Sequence, residues 1–225
     1  MKKSILFFCV ASLLCVTGIA GALPIQNGSF EDPGASPGAI TKPTGDASIT
    51  GWTVASGTID YVGPTPPNVE NPTAGWTAAQ GTSSIDLNGL AIFGAGTLVS
   101  QEFVTTPGTS YEVIFALAGN PYGGDQFKDL TVSAAGSSEN FTFDTNGKTP
   151  TNMGWTDFSF PFVATNNLTT LAFTSLEENT AFGPAIDNVR VNVASGAPVP
   201  EPATLMLLGA GLICVALFSR KRFLN

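Results

Sequence analysis

From Leu23 to Val193 the chain is a succession of short segments rich in Val, Ile, Phe and Thr, interrupted by Gly, Pro, Asn or Asp at intervals of about ten residues. That punctuation breaks any helix before it is established and specifies short strands joined by turns, the pattern of an all-β sandwich or barrel. Alternation of apolar and polar residues is visible in Thr58-Ile59-Asp60-Tyr61-Val62, Tyr111-Glu112-Val113-Ile114-Phe115, Asn140-Phe141-Thr142-Phe143 and Phe158-Ser159-Phe160-Pro161-Phe162. Each such segment offers one apolar face to a packed sheet. Pro161 has no backbone donor, so its strand is expected at a sheet edge or with a bulge. Trp52, Trp76 and Trp155 each follow a Gly, which places them at strand starts or turn exits, and Trp52 and Trp155 sit beside apolar strand residues as core candidates.

The ends differ from this region in composition and are set apart from the fold. Met1-Lys2-Lys3, an apolar run from Ile5 to Ile19 and Ala20-Gly21-Ala22 make up the charged, apolar and small-residue parts of a secretory signal, with cleavage expected after Ala22. Residues 1–22 are thus the signal peptide, 23–194 the folded domain, 195–202 a linker, 203–219 a transmembrane sorting helix and 220–225 a basic cytoplasmic tail. The apolar run Ala203 to Phe218 would reach roughly 24 Å as a helix, against a hydrocarbon core of roughly 30 Å. Arg220-Lys221-Arg222 would hold its end on the cytoplasmic side and leave the domain outside. Pro200-Glu201-Pro202, a short apolar helix and a basic end at the C-terminus of a signal-bearing chain resemble the PEP-CTERM sorting signal. That resemblance implies processing by signal peptidase and exosortase, transient membrane anchoring, and a surface or extracellular-matrix destination in a Gram-negative bacterium that makes polysaccharide.

Between the ends stand only four cations, Lys42, Lys128, Lys148 and Arg190, against every acid of the chain except Glu201. The resulting charge, about −12, disfavours nucleic acid and anionic membrane surfaces. Cys9, Cys15 and Cys214 all lie in the end segments and the chain has no His, so the domain has neither thiol chemistry nor an imidazole base. Roughly 175 residues bury enough apolar surface to fold without metal or disulfide, so no cofactor is required.

Two loops rich in Gly and Pro, Gly63 to Ala74 and Gly119-Asn120-Pro121-Tyr122-Gly123-Gly124-Asp125, are candidates for a recognition surface, with plain connectors as the alternative. The order of Asn27-Gly28-Ser29-Phe30-Glu31, Gly51-Trp52-Thr53-Val54, Ile59-Asp60-Tyr61, Ser84-Ile85-Asp86-Leu87-Asn88-Gly89, Leu117-Ala118-Gly119-Asn120-Pro121, Asn152-Met153-Gly154-Trp155 and Gly183-Pro184-Ala185-Ile186-Asp187-Asn188-Val189 resembles the choice-of-anchor C family. The resemblance implies a galactose-binding-like jelly-roll β-sandwich, related to plant cell-wall domains of unknown function. It also implies a structural calcium where the first and last strands meet, with Asn27, Glu31 and Asp187 as matching positions. The other reading of these residues is that Glu31 caps a turn and Asp187 bonds backbone.

Sugar recognition needs an aromatic ring against a pyranose face and amides or carboxylates on its hydroxyls. Trp76, Tyr61 and Tyr122, with Asp60, Asp86, Asn88 and Asn120, supply both parts. The sequence therefore reads as a non-catalytic binding module whose partner is extracellular polysaccharide. A structural coat protein without a ligand site is the second reading, and a glycoside hydrolase, which needs two acids facing each other across a cleft, is the third.

Overall fold

A computed structural model describes residues 25–65 and 75–194. The expected signal peptide, linker and sorting helix, Pro200, Glu201, Pro202, Arg220, Lys221 and Arg222, and most of the Gly63 to Ala74 loop lie outside the described residues. Among the described residues, no helix is long and apolar enough to cross a membrane.

The strands in chain order are β1 (Ala39–Pro43), β2 (Trp52–Ser56), β3 (Thr58–Val62), β4 (Ser84–Asp86), β5 (Thr97–Ser100), β6 (Phe103–Val104) and β7 (Ser110–Gly119). They continue as β8 (Phe127–Ala134), β9 (Ser137–Asp144), β10 (Thr156–Val163), β11 (Leu168–Thr169), β12 (Leu171–Ser175) and β13 (Pro184–Val193). A six-stranded sheet runs β1-β3-β4-β13-β7-β10 and a five-stranded sheet runs β2-β5-β12-β8-β9, with β6 and β11 pairing separately. All of the ladders are antiparallel, so the domain is the expected jelly-roll β-sandwich.

The core follows from the period of two. Ile59, Ile85, Leu117 and Ile186 of one sheet and Leu98, Leu130, Val132 and Phe173 of the other are fully enclosed. Phe115 meets Phe141 and Phe173 edge to face, with ring centroids 5.3 and 5.2 Å apart. Such contacts add about 0.5–1.5 kcal/mol each to the burial of the rings themselves. Trp52 is buried as expected and donates Nε1 to the Asn27 carbonyl at 3.0 Å. Trp155 packs at the margin of the core and donates Nε1 to the Thr77 carbonyl at 2.8 Å.

Gly51, Gly75 and Gly154, each just before a Trp, have φ of 83°, 72° and 69°. The left-handed conformation turns the chain immediately before the ring, which explains the Gly-Trp pairs. β10, with Pro161, is an edge strand of the six-stranded sheet, as its missing donor requires.

The outer face of the six-stranded sheet positions the site. Cross-strand register aligns Thr41, Asp60, Asp86, Ala185 and Ala118 in one row over β1, β3, β4, β13 and β7. A second row begins Ala39, Val62, Ser84. Small side chains at 118 and 185 leave the acids of the first row as its most prominent groups.

Candidate functional site

Four loops rise around these rows and enclose a cavity of about 260 Å³. Thr41, Asp60 and Asp86 lie on its sheet side, and Trp76, Leu90, Asn120, Tyr122 and Phe182 come from the surrounding loops. Five of the seven residues expected to bind sugar, Asp60, Asp86, Trp76, Asn120 and Tyr122, thus meet in one place. Another cavity of about 260 Å³, lined by Gln26, Gly51 and residues 100–104, contains none of them.

The two acids are held differently. Asp60 accepts the Thr41 hydroxyl on Oδ1 at 2.6 Å, and this is the hydrogen bond its carboxylate makes within the described residues. Burial raises its pKa, and the Thr41 bond partly opposes the rise. Asp86 is wholly enclosed. It accepts the Asn120 amide on Oδ2 at 2.7 Å, and the backbone N–H groups of Asn88 and Gly183 on Oδ1 at 2.9 and 3.1 Å. Burial drives its pKa well above the ordinary range, against the pull of the Asn120 and Asn88 bonds, and the neighbouring Asp60 charge raises it further.

Asn88 lies behind the cavity. Its amide donates to the carbonyls of Glu177 at 2.8 Å and Thr180 at 3.0 Å, fastening the loop that carries Phe182. Its Oδ1 is buried without a hydrogen-bond partner. Gly183 explains the arrangement: a β-carbon there would lie 2.4 Å from Asn88 Oδ1 and 2.7 Å from Asp86 Oδ1. The Cα–H of Gly183 fills that space, a weak donor facing an acceptor.

Tyr122 keeps its place by donating its hydroxyl to the Gly75 carbonyl at 2.9 Å, while its backbone N–H donates to Asn120 Oδ1 at 3.0 Å. Trp76 is 3 % exposed and donates Nε1 to Ser84 Oγ at 2.8 Å, so it forms a wall of the cavity and not an open stacking platform. Tyr61 is a correction to the sequence reading. Neighbouring strand residues face opposite sides of a sheet, and Asp60 takes the cavity side. Tyr61 points into the core instead, where its hydroxyl donates to the Phe30 carbonyl and accepts the Gly34 N–H.

Lys128, Thr41, Leu90 and Phe182 were not anticipated as part of the site. Lys128 is fully enclosed, and its Nζ donates to the carbonyls of Gly123 at 2.9 Å and Phe182 at 2.8 Å, tying the Tyr122 loop to the Phe182 loop. Burial lowers its pKa, and Glu177, Asp86 and Asp125 oppose that shift. A signal was present in the sequence: in β8 Lys128 shares the parity of Leu130, Val132 and Ala134, the inward side of the strand.

The residues matched to a calcium site make hydrogen bonds. Glu31 accepts the Thr82 and Ser83 N–H groups on Oε1 at 2.9 and 2.7 Å and the Thr82 hydroxyl on Oε2 at 3.0 Å. Asp187 accepts the Gln80 N–H on Oδ2 at 2.8 Å and the Asn188 N–H on Oδ1 at 2.6 Å. Asn27 closes its own turn, its amide donating to the Asp32 and Thr50 carbonyls and its Oδ1 accepting the Asp32 N–H. Calcium requires six to eight convergent oxygens. Here each carboxylate oxygen already faces a donor hydrogen, and among the described residues no three acids cluster closely enough to hold a metal. In this arrangement the three residues anchor loops through backbone and hydroxyl donors. Burial raises the Asp187 pKa to about 7, against the bonds from Gln80, Asn188 and Ala79, with the Glu31 charge adding to the rise.

Comparison with known proteins matches residues 23–192 to the family described as "Protein of unknown function (DUF642)" and residues 198–222 to the PEP-CTERM protein-sorting motif. Halomucin of Haloquadratum walsbyi is 28 % identical over 220 residues, which is 89 % of this chain but only 2 % of halomucin. Among solved structures, a CBM61 in complex with β-1,4-galactotriose shares 17 % identity, with 76 % of this chain and 99 % of that one covered and a TM-score of 0.43. A CBM4 shares 16 % identity over 76 % of this chain and all of its own, with a TM-score of 0.39. The CBM35 from Paenibacillus barcinonensis also shares 16 %, over 69 % of this chain and 99 % of its own, with a TM-score of 0.40.

Proposed function

The chain belongs to the DUF642 family and carries a PEP-CTERM sorting motif, and from that premise we propose that it is a non-catalytic carbohydrate-binding module displayed at the surface of a Gram-negative bacterium. One observation carries the reading: Asp60, Asp86, Asn120, Trp76 and Tyr122 come from four separate stretches of the chain and line one cavity. Carboxylate and amide beside aromatic walls is the combination that recognises a sugar ring. At about 260 Å³ the cavity falls just below the roughly 300–1,000 Å³ of sites for drug-sized ligands, a size suited to a single ring or a chain end.

The two acids support binding over hydrolysis. Asp86 is enclosed and its carboxylate is saturated by three N–H groups, so it has no open position from which to give a proton to a leaving group. Direction in the fold supports surface display. β13 starts at Pro184, beside the cavity, and ends at Val193, nine residues or roughly 30 Å away, on the side where the sorting motif follows. The cavity therefore lies at the end of β13 opposite to the one from which the chain runs on to that motif. Signal peptidase and exosortase are its processing partners in this reading.

The enclosure of Trp76 and Tyr61 favours a second reading, a structural coat protein whose outer loops bind nothing. Depletion of the full-length chain from solution by the extracellular polysaccharide of its host separates the two. The binding reading expects depletion that Tyr122→Ala abolishes, and the coat reading expects none.

A further inference from the structure

Among the described residues, no cationic side chain pairs with Asp60 in the cavity. Asp60 and Asp86 are directly opposed across the β3–β4 ladder, and like charges in that position repel. All four cations of the domain are engaged elsewhere. Lys42 lies 4.0 Å from Asp46 and donates to Ser48, and Arg190 pairs with Asp157 at 3.0 Å. Lys148 sits 5.9 Å from the centre of the Phe143 ring. Lys128, the nearest in character to a counter-ion, directs Nζ to the carbonyls of Gly123 and Phe182. Among the described residues, the polar lining of the cavity thus consists of the Asp60 and Asp86 carboxyls, the Asn120 amide, the Trp76 indole and the Thr41 and Tyr122 hydroxyls, with no cationic side chain among them.

The open position belongs to Asp60. Thr41 occupies its Oδ1, while Oδ2 has no hydrogen-bond partner among the described residues, and Asp60 itself lines the cavity. Aromatic and apolar groups, Trp76, Tyr122, Phe182 and Leu90, border the same space. A uronate or sulfated sugar placed there would meet the Asp60 carboxylate, with Asp86 enclosed behind it, in a partly desolvated cavity where repulsion is stronger than in water. A protonated amine on the ring would meet Asp60 Oδ2 in a charge-assisted hydrogen bond and offset the repulsion between the acids.

We propose that the cavity selects an amine-bearing sugar, a hexosamine unit with its nitrogen free, and excludes acidic glycans. This rests on the carbohydrate-binding reading above and goes further by naming the ligand class.

The test measures binding of the full-length chain, in a detergent that carries no sugar headgroup, to glucosamine, N-acetylglucosamine, galactose and galacturonate oligomers of equal length by calorimetry. The expected result is strongest binding to the glucosamine oligomer, weakening as salt rises, and no binding of the galacturonate oligomer. Asp60→Asn keeps an acceptor for Thr41 and should weaken the glucosamine oligomer about tenfold while leaving neutral oligomers unchanged; its thermal melt reports whether it folds. Equal binding of amine-bearing and neutral oligomers, or binding of galacturonate, overturns the proposal and leaves the carbohydrate reading intact. Wild-type protein that binds none of the four defeats the proposal. A host polysaccharide that also fails to deplete the chain defeats the underlying reading with it. Glucosamine binding displaced by calcium chloride, but not by sodium chloride at matched ionic strength, assigns Asp60 Oδ2 to a divalent ion and also overturns the amine assignment.

Discussion

Lys128 and Phe182 are 54 residues apart, and the ammonium of the first donates to the carbonyl of the second at 2.8 Å inside the sandwich. A second bond from the same nitrogen, to Gly123, makes Lys128 the strut between two of the loops that border the cavity. The position lies on the inward side of β8, where an apolar residue would otherwise pack.

Lys128→Met keeps the stem and removes both bonds, leaving two partly buried carbonyls without these donors and removing the positive charge that interacts with Glu177 and Asp86. We expect a loss of about 2–4 kcal/mol, read from the midpoint of urea unfolding. Lys148→Met, whose ammonium lies over the Phe143 ring and beside Gly154, should cost about 0.5–1 kcal/mol. Equal effects at the two positions would show that Lys128 is not a strut.

Gly183→Ala tests the packing behind the acids. Its methyl would arrive 2.4 Å from Asn88 Oδ1 and 2.7 Å from Asp86 Oδ1, so the loop bearing Phe182 must move. Destabilisation of about 1–3 kcal/mol is expected from such overpacking, together with loss of glycan binding. A variant with unchanged melt and unchanged binding would contradict the described geometry.

The pH dependence follows from Asp187. Its carboxyl titrates near 3.8 when unfolded and at about 7 when folded, so the native state holds the proton more tightly. The associated stability is complete below about pH 4 and is lost as pH rises through about 7. Asp60 and Asp86, also raised, act in the same direction. The melting temperature should fall from pH 4 to pH 7, and Asp187→Asn should reduce that slope. A calcium ion at Glu31 and Asp187 would favour the ionised form and remove the fall. With Glu31 and Asp187 acting as loop anchors, we expect a chelator to leave the melt unchanged, and a melt lowered by chelator would support the metal reading.

Much of this was legible in the sequence because period-two alternation is local. The segment Thr58 to Val62 is β3 to the residue, and Pro161 marked an edge strand. Alternation also contained information that the sugar-site reading did not use: Asp60 and Tyr61 are consecutive in a strand and cannot both face one cavity. The convergence of Asp60 with Asp86 depends on register between β3 and β4, separated by residues 63–83, and no local pattern sets that pairing. The anchoring roles of Glu31 and Asp187 depend equally on where the 79–83 loop comes to rest. For Lys128 the sequence held both its rarity and its inward parity, which together mark a buried cation.

The central claim is that the cavity beside Asp60 and Tyr122 binds a glycan, and the most direct measurement is a glycan array probed with the full-length chain and with Ala181→Trp. Ala181 lines the cavity from a half-buried loop position, so a Trp there should fill the space and leave the core intact. The account predicts a defined set of retained glycans for the native chain, and loss of that set in a variant whose thermal melt is unchanged. Retention of the same glycans by both proteins, or of none by the native chain, would contradict it.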